Sequence, residues 1–343
     1  MTYFFANTEY HLLIALLLVH KYNLDISSFE IILFKSKYRF IDVNTDSLPI
    51  RFIDYSILVK ARKSKDIPSL ENIGNHGGEA YFFLDTEFIN CYYIQHLKSK
   101  SYKIILVQEG LNAYWRPDTF TFVRIIIRNY IHFLHLHYIK GIKNLFFNNR
   151  WGESDLVDQI LVTNPEIRTD NQLSERISFL IDQSNLDSVS AIFNYDGPDQ
   201  FENEILYISQ GFSDTKMVIL ENVHISLLSD LVQKFGKKLI VKLHPGIAKD
   251  KPYLRRKNAN IYVIAKNFPI ELIIARMKKS IIISPFSGSN FFYVKTNVYY
   301  WSYPVFFPNW KNRVIPNHIN LVDDFDNFLA EIEFYLCQML GTK

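Results

Sequence analysis

The chain has 343 residues, 48% of them hydrophobic and 21% charged, with a formal net charge of +3. Length and apolar content demand a large buried core in about two domains and exclude a disordered chain. A charge this small gives no electrostatic ground for nucleic-acid binding. The two cysteines, Cys91 and Cys337, exclude a disulfide framework and a cysteine-rich zinc site and fit a reducing compartment. Phe and Tyr number 28 and 21 against 4 Trp, a bias that the base composition of a gene suffices to explain.

Thr2–Ala6 (TYFFA) reads as a short apolar strand, followed by a helix over Glu9–Lys21 with Asn7 or Thr8 as its cap. The opening MTYFFANTEYH has no basic lead-in and carries Glu9 ahead of Leu12–Val19, an apolar run too short to span a bilayer. No other stretch reaches spanning length without charge. The expectation is a cytoplasmic protein, at most peripheral on the inner face of the cytoplasmic membrane. EIILF (30–34), AYFFLD (80–85) and KIILV (103–107) are strands, and Glu87–Lys98 is a helix. Their apolar runs are continuous rather than alternating, which marks strands covered on both faces. Strands separated by helices imply a parallel, doubly wound sheet.

Phe120–Lys143 reads as a long helix, and 151–171 turns polar and acidic, so a first domain is placed at 1–155. The pattern then restarts. Strands are expected at 204–209, 238–243, 260–265, 280–284 and 297–301, with helices at Asn222–Phe235 and Pro269–Lys278. This second domain covers 156–322, and an amphipathic helix (324–340) closes the chain within 323–343. The fold class is α/β, two doubly wound Rossmann-like halves facing a cleft. Ligands in such folds sit at the C-terminal ends of strands.

Polar residues stand at several of those ends. In VQEGLNAYWRP (107–117), Glu109-Gly110 follows a buried strand. The pair reads either as a turn glycine with a solvated acid or as a general base at the lip of a cleft. In KLIVKLHPG, the strand stops at His244-Pro245, because proline cannot continue the ladder. A histidine there suits a general acid, its ordinary pKa lying near neutrality, or a plain turn contact. Lys242 shares the parity of His244. In SIIISPFSGSN, Ser284 ends a strand and Ser287-Gly288-Ser289-Asn290 opens a helix, whose hydroxyls and free N–H groups suit a phosphate or simply cap the helix. Asn7, Thr8 and His11 follow the first strand and face the cleft if the domain is wound as supposed.

Other signatures are missing. There is no GxxxxGK[ST] loop and no GxGxxG after the first strand, and no DxD ends an apolar strand, which leaves a metal-bridged diphosphate without a ligand set. Asp323-Asp324 reads as a helix cap. His132, His135 and His137 have no acidic partner nearby and make a weak metal site. Arg124, Arg128, His132, His135, Lys140 and Lys143 recur at helical spacing among Phe, Ile, Leu and Tyr. A core helix with a solvated basic face is favoured there over a helix lying on an anionic membrane through 120–143.

Three motifs therefore stand in order: Glu109-Gly110, His244-Pro245 and the serines of 284–289. The chain resembles the bacterial sialyltransferases that build lipooligosaccharide and capsule termini, of polysialyltransferase-like type. These share an acidic D/E-D/E-G turn, an HP dipeptide and a serine/threonine pair on a two-domain GT-B fold. ANTEYHLLIALLL is similar to that group's first strand–helix turn. Two departures stand out: Gln108 replaces the first acid, and Gly288 interrupts the serine pair.

The resemblance implies CMP-sialic acid as donor, no metal, and inversion at the anomeric carbon. It casts Glu109 as base and His244 as the group that protonates or hydrogen-bonds the departing CMP. Lys242, Pro245, Ser284, Ser287, Gly288, Ser289 and Asn290 would hold the donor phosphate, and Asn7, Thr8, His11 and Gly110 would line the acceptor side. Some relatives take their base from the second domain, which makes Glu221, at the end of an expected MVIL strand, the alternative and Asp214 a weaker one. The acceptor would be a terminal sugar, galactose first, of a lipooligosaccharide, O-antigen or capsule. Relatives dimerise, so a homodimer is expected as an option. Two other readings compete: a GT-B transferase using CMP-Kdo or a UDP-hexose, and a non-catalytic sugar- or membrane-binding protein.

Overall fold

The computed structural model describes the chain apart from residues 37–39, 41–42, 69–76, 115–118, 144, 147, 149, 169–173, 179–180, 182, 212–214, 245–259, 265–267, 286, 290–293, 304–314 and 341–343. Two compact units divide at Tyr195/Asp196. The first carries β1 (Thr2–Ala6), β2 (Phe29–Lys35), β3 (Ile50–Asp54), β4 (Gly78–Phe82), β5 (Tyr102–Val107), β6 (Gln159–Val162) and β7 (Ser174–Arg176), in spatial order β3-β2-β1-β4-β5-β6-β7. All neighbours are parallel. Its helices are α1 (Glu9–Lys21), α2 (Ile57–Lys60), α3 (Phe88–Ser99), α4 (Thr119–Leu134) and α5 (Gln183–Ile192), and α4 runs on into a π-helical turn, His135–Ile139.

The second unit pairs β8 (Phe201–Glu202) with β12 (Met277–Lys278) beside a six-stranded parallel sheet. That sheet holds β9 (Ile205–Ile208), β10 (Leu239–Lys242), β11 (Ile261–Ile264), β13 (Ser280–Ser284), β14 (Val298–Ser302) and β15 (Ile319–Leu321), ordered β11-β10-β9-β13-β14-β15. Its helices are α6 (Thr215–Lys234), the single turn α7 (Glu271–Ile274) and α8 (Phe325–Leu340). The expected α/β class holds, and each sheet winds outward both ways from its first strand. The order reverses between β1 and β4 in one sheet and between β9 and β13 in the other. Those reversals open crevices at the strand C-termini, where doubly wound folds take their ligands.

The continuous apolar runs are explained by burial on both faces: Phe4, Phe5, Ile31, Ile32, Leu33 and Phe34 are fully buried. Parallel register sets aromatic residues side by side. Phe5 lies opposite Phe82 with ring centroids 4.3 Å apart and planes 8° from parallel, and Phe4 meets Tyr81 at 4.8 Å. The aromatic bias thus has a packing role here, each offset pair adding about 0.5–1.5 kcal/mol beyond its burial. Helix α1 is apolar nearly all round because β1, β2 and α5 pack against it. Thr8 caps it by accepting the backbone N–H of His11 at 3.2 Å.

Several expectations need correcting. Residues 156–195 pack with the first unit, not the second, because β6 extends the sheet from β5 and α5 lies on α1. The edge strand β3 was not foreseen, since IRFID alternates and pairs Arg51 with Glu30 at 2.8 Å in partly exposed surroundings. MVIL (217–220) is helical, within the first two turns of α6, so Glu221 does not end a strand. A short apolar run fits helix and strand alike, and here the buried spacing Ile225, Leu228, Val232 decides for helix. Pro269–Lys278 holds only α7 and then β12. Asp324 does cap α8, accepting from the N–H groups of Asp326 and Asn327 at 3.4 Å. Both cysteines are free thiols. Among the described residues no helix is long and apolar enough to cross a membrane.

Candidate active site

In the first unit the chemistry gathers where β1, β4 and β5 end. Asn7, straight after β1, is fully buried. Its backbone N–H donates to His11 Nδ1 at 3.1 Å, which leaves the proton on Nε2. That Nε2 lies 4.0 Å from Oε1 of Glu109, and the imidazole stacks on Phe83 at 4.4 Å and 7°. A buried N–H donor thus faces a partly exposed carboxylate, whose side chain is 25% accessible against 1% for His11. The Asn7 side chain donates to Glu87 Oε2 at 3.4 Å and accepts from Asn90 at 3.3 Å, and Glu87 also accepts from the Tyr55 hydroxyl. Of the acceptor-side group, Asn7, His11 and Gly110 gather at Glu109, while the Thr8 hydroxyl serves as a helix cap.

Gln108 and Glu109 part company. Gln108 is fully buried, and its Oε1 accepts from the Tyr114 hydroxyl (2.7 Å), the Thr163 N–H (2.7 Å) and the Thr163 hydroxyl (3.1 Å). It ties the end of β5 to the end of β6. The position needs an acceptor oxygen, which an amide and a carboxylate both supply. Glu109, one residue on, is left to face outward. Gly110 adopts φ +50, and a Cβ there would meet nothing within 4 Å. The backbone turn, not crowding, is what asks for glycine.

Asp85, just beyond β4, has no accessible surface. Its Oδ2 accepts from Asn148 at 2.8 Å and from the Gly152 N–H at 3.0 Å, while Trp151 donates to Phe83 O at 2.8 Å. The carboxylate anchors the segment after α4 over the strand end. Burial pushes its pKa up to about 7, against the opposing pull of those two donors and Arg168. A raised carboxylate binds its proton more tightly in the folded state. Its stabilising share is therefore full below about pH 4 and is lost as pH rises through about 7. Asp85→Asn keeps the neutral shape. It should flatten this part of the profile and make the variant more stable than wild type above pH 7, by about 4 kcal/mol at most. Thermal unfolding of both proteins from pH 4 to pH 8 checks this, and parallel curves would refute it.

In the second unit the residues meet where β9, β10 and β13 end. His244 is exposed beyond β10, and its ring rests on Gly211, where a Cβ would stand 2.8 Å from Nδ1. The adjoining Gln210 N–H donates to Oε1 of Glu221 at 2.8 Å, and the Tyr207 hydroxyl reaches the same oxygen at 3.4 Å. Glu221 is fully buried in α6. It holds the chain on which His244 sits, a supporting position rather than a strand-end one.

Lys242 is buried: Nζ lies 5.2 Å from the centre of the Phe268 ring and donates to Leu243 O at 3.4 Å. Beside it stands Glu271, also buried, whose pKa is raised by desolvation and pulled back by its backbone, the Ser289 hydroxyl and Lys242. Ser284 ends β13 fully buried. Ser287 accepts the Ser289 N–H at 3.3 Å and so starts the next helical turn at Gly288. Lys242, at the end of β10, and Ser289 both act on the Glu271 carboxylate, which makes one polar cluster of the three. Pro245, Asn290 and Asp214 lie outside the described residues.

Sequence reasoning missed Asp85, Glu87, Gly211 and Glu271. Glu87 carried a signal, an acid just past a strand end, as Glu109 did. Glu271 carried none, because nothing in FPIELII shows that its carboxylate is buried against a lysine. Two of the three histidines have packing contacts: His132 of α4 meets Phe88 edge-on at 4.8 Å, and His137, in the turn after it, stacks on Phe133 at 5.5 Å.

A search of curated protein sequences returned no match. The family model for alpha-2,8-polysialyltransferases (POLYST) matches residues 10–296. The chain belongs to that family. As a member it is a sialyltransferase, moving sialic acid from CMP-sialic acid. Solved structures place it among GT-B folds. The UDP-GlcNAc 2-epimerase of Methanocaldococcus jannaschii, solved with UDP-GlcNAc and UDP, is 13% identical over 98% of this chain and 92% of that one, with a TM-score of 0.56. The spinosyn forosaminyltransferase SpnP is 11% identical over 99% and 90%, with a TM-score of 0.50. The GT-B domain of a sialyltransferase from Photobacterium damselae aligns over 100% and 97% at 11% identity and a TM-score of 0.48. In this polysialyltransferase-family chain the matched segment contains Glu109, His244 and all three described serine-cluster positions, Ser284, Ser287 and Ser289.

Proposed function

We propose that this sialyltransferase works with inversion and without a metal, in the cytoplasm, on a terminal sugar of a bacterial lipooligosaccharide, O-antigen or capsule. Glu109 takes the proton of an acceptor hydroxyl. The hydroxyl oxygen forms its bond to the anomeric carbon of sialic acid as the bond to the CMP phosphate oxygen breaks. His244 donates a proton or hydrogen bond to that departing oxygen. Ser284, Ser287, Gly288 and Ser289, together with Pro245 and Asn290, hold the phosphate. Lys242 supplies positive charge from behind, balanced by Glu271. Preorganised donors of this kind act on charge as it develops.

The observation that carries this reading is the contrast at the two strand-end clusters. A carboxylate faces a buried N–H donor at one, and at the other an exposed imidazole follows the strand whose Lys242 is buried with Glu271. A CMP-sugar has a single phosphate, whose charge such a set can meet with no bridging ion. Asn7 and His11 orient Glu109 from beneath, and Gly110 keeps the approach open.

Galactose is the first acceptor proposed. The family's own description favours a second, the 8-hydroxyl of a terminal sialic acid. The experiment supplies CMP-sialic acid with each acceptor, with EDTA present, and reads product mass together with CMP release. Undiminished turnover in EDTA is expected. Thermal shift with CMP, CDP and UDP accompanies it. Stabilisation by UDP and not by CMP would hand the site to a UDP-hexose, and turnover of CMP-Kdo alone would change the donor. No turnover of any donor would favour a binding protein.

A further inference from the structure

Helix α4 and the turn after it carry an apolar face that the first unit leaves bare. Val123, Ile127, Tyr130 and Ile131 are 48–61% exposed, and Tyr138 and Ile139 exceed 70%. At about 100° per residue, the first four fall within a single arc of about 100°. Arg124, Arg128 and His135 run along one flank of it and are exposed as well. From Thr119 to Gly152 there is no Asp or Glu, while Arg124, Arg128, Lys140, Lys143 and Arg150 occur there. Among the described residues no carboxylate pairs with Arg124 or Arg128. The sequence favoured a core helix with a solvated basic side. The apolar side is solvated too.

A second copy of the chain would cover the isoleucines but bring like charges together across a two-fold contact. A soluble polyanion would meet the cations and leave the isoleucines wet. A bilayer with anionic headgroups satisfies both: apolar side chains enter the acyl boundary, tyrosines sit at the interface, and arginines and lysines reach lipid phosphates. We propose that residues 123–143 form the face by which the protein lies on an anionic lipid surface. This does not depend on which donor or acceptor the transferase uses.

Co-sedimentation with vesicles tests it, using phosphatidylcholine alone and phosphatidylcholine mixed equally with phosphatidylglycerol. The wild-type protein should bind the mixed vesicles at least tenfold more, and less as salt is added. Each cation near such a surface contributes about fivefold, so the double variant R124E/R128E should lose more than tenfold. R124K/R128K should keep binding, and I127S/I131S should lose it. All are surface positions, and circular dichroism verifies folding. Absent binding to mixed vesicles, or binding unchanged in R124E/R128E, overturns the proposal. So does a dimer in light scattering that I127S/I131S converts to a monomer, since the face would then belong to a second copy.

Discussion

Glu109→Gln should lower the turnover number by about 10²–10⁴ while leaving CMP binding and thermal stability near wild type. The substitution keeps the size of the side chain and its place opposite His11, whose Nε2 lies 4.0 Å from the carboxylate. It removes only the ability to take a proton. No strand-end anchor is lost, because that task belongs to Gln108. Glu221→Gln is the matched comparison. Glu221 holds the Gln210 N–H at 2.8 Å from inside α6, and neutralising a buried acceptor costs about 1–3 kcal/mol. That variant should show a lowered unfolding midpoint with the turnover of the folded fraction retained. The reverse pattern, full turnover in Glu109→Gln and none in a well-folded Glu221→Gln, would transfer the base to the second unit.

The other large effect is expected at His244. His244→Ala should cut transfer by a similar 10²–10⁴ with CMP affinity changed little, because Lys242 and the serines remain. Gly211→Ala makes the assignment geometric rather than chemical. Its Cβ would stand 2.8 Å from Nδ1 of His244, so the ring must shift by a few tenths of an ångström or more. That variant keeps the imidazole yet should fall between wild type and His244→Ala, since a misplaced catalytic group loses much of its effect. Turnover in His244→Ala equal to wild type would remove the leaving-group role altogether.

Much of this was legible in the sequence wherever a buried parallel strand gave way abruptly to polar residues. Thr2–Ala6 and Ser280–Ser284 were read at their true bounds because both are unbroken apolar runs. Where a strand lies at a sheet edge, as β3 does, or is three residues long, as β7 and β15 are, burial is partial and no run forms. Missing β6 and β7 drew the junction some forty residues too early. Glu221 was misread for the opposite reason, its four preceding residues being apolar enough for either element. Asp85 and Glu271 show the deeper limit: burial of an acid is a property of what packs over it, and Asn148, Gly152 and Lys242 come from distant parts of the chain.

The three bonds that converge on Gln108 change how the acidic turn is to be searched for in other chains. A template demanding two consecutive acids would pass over this protein, although the residue it lacks is a fastener rather than a reagent. The tolerance should be for any side chain that offers an oxygen to Tyr114 and Thr163, with the strict requirement moved one place along. Written as acceptor, acid, glycine, the template sorts members by working parts, and a chain with a leucine at the first place would be suspected of a loose turn rather than of lost chemistry.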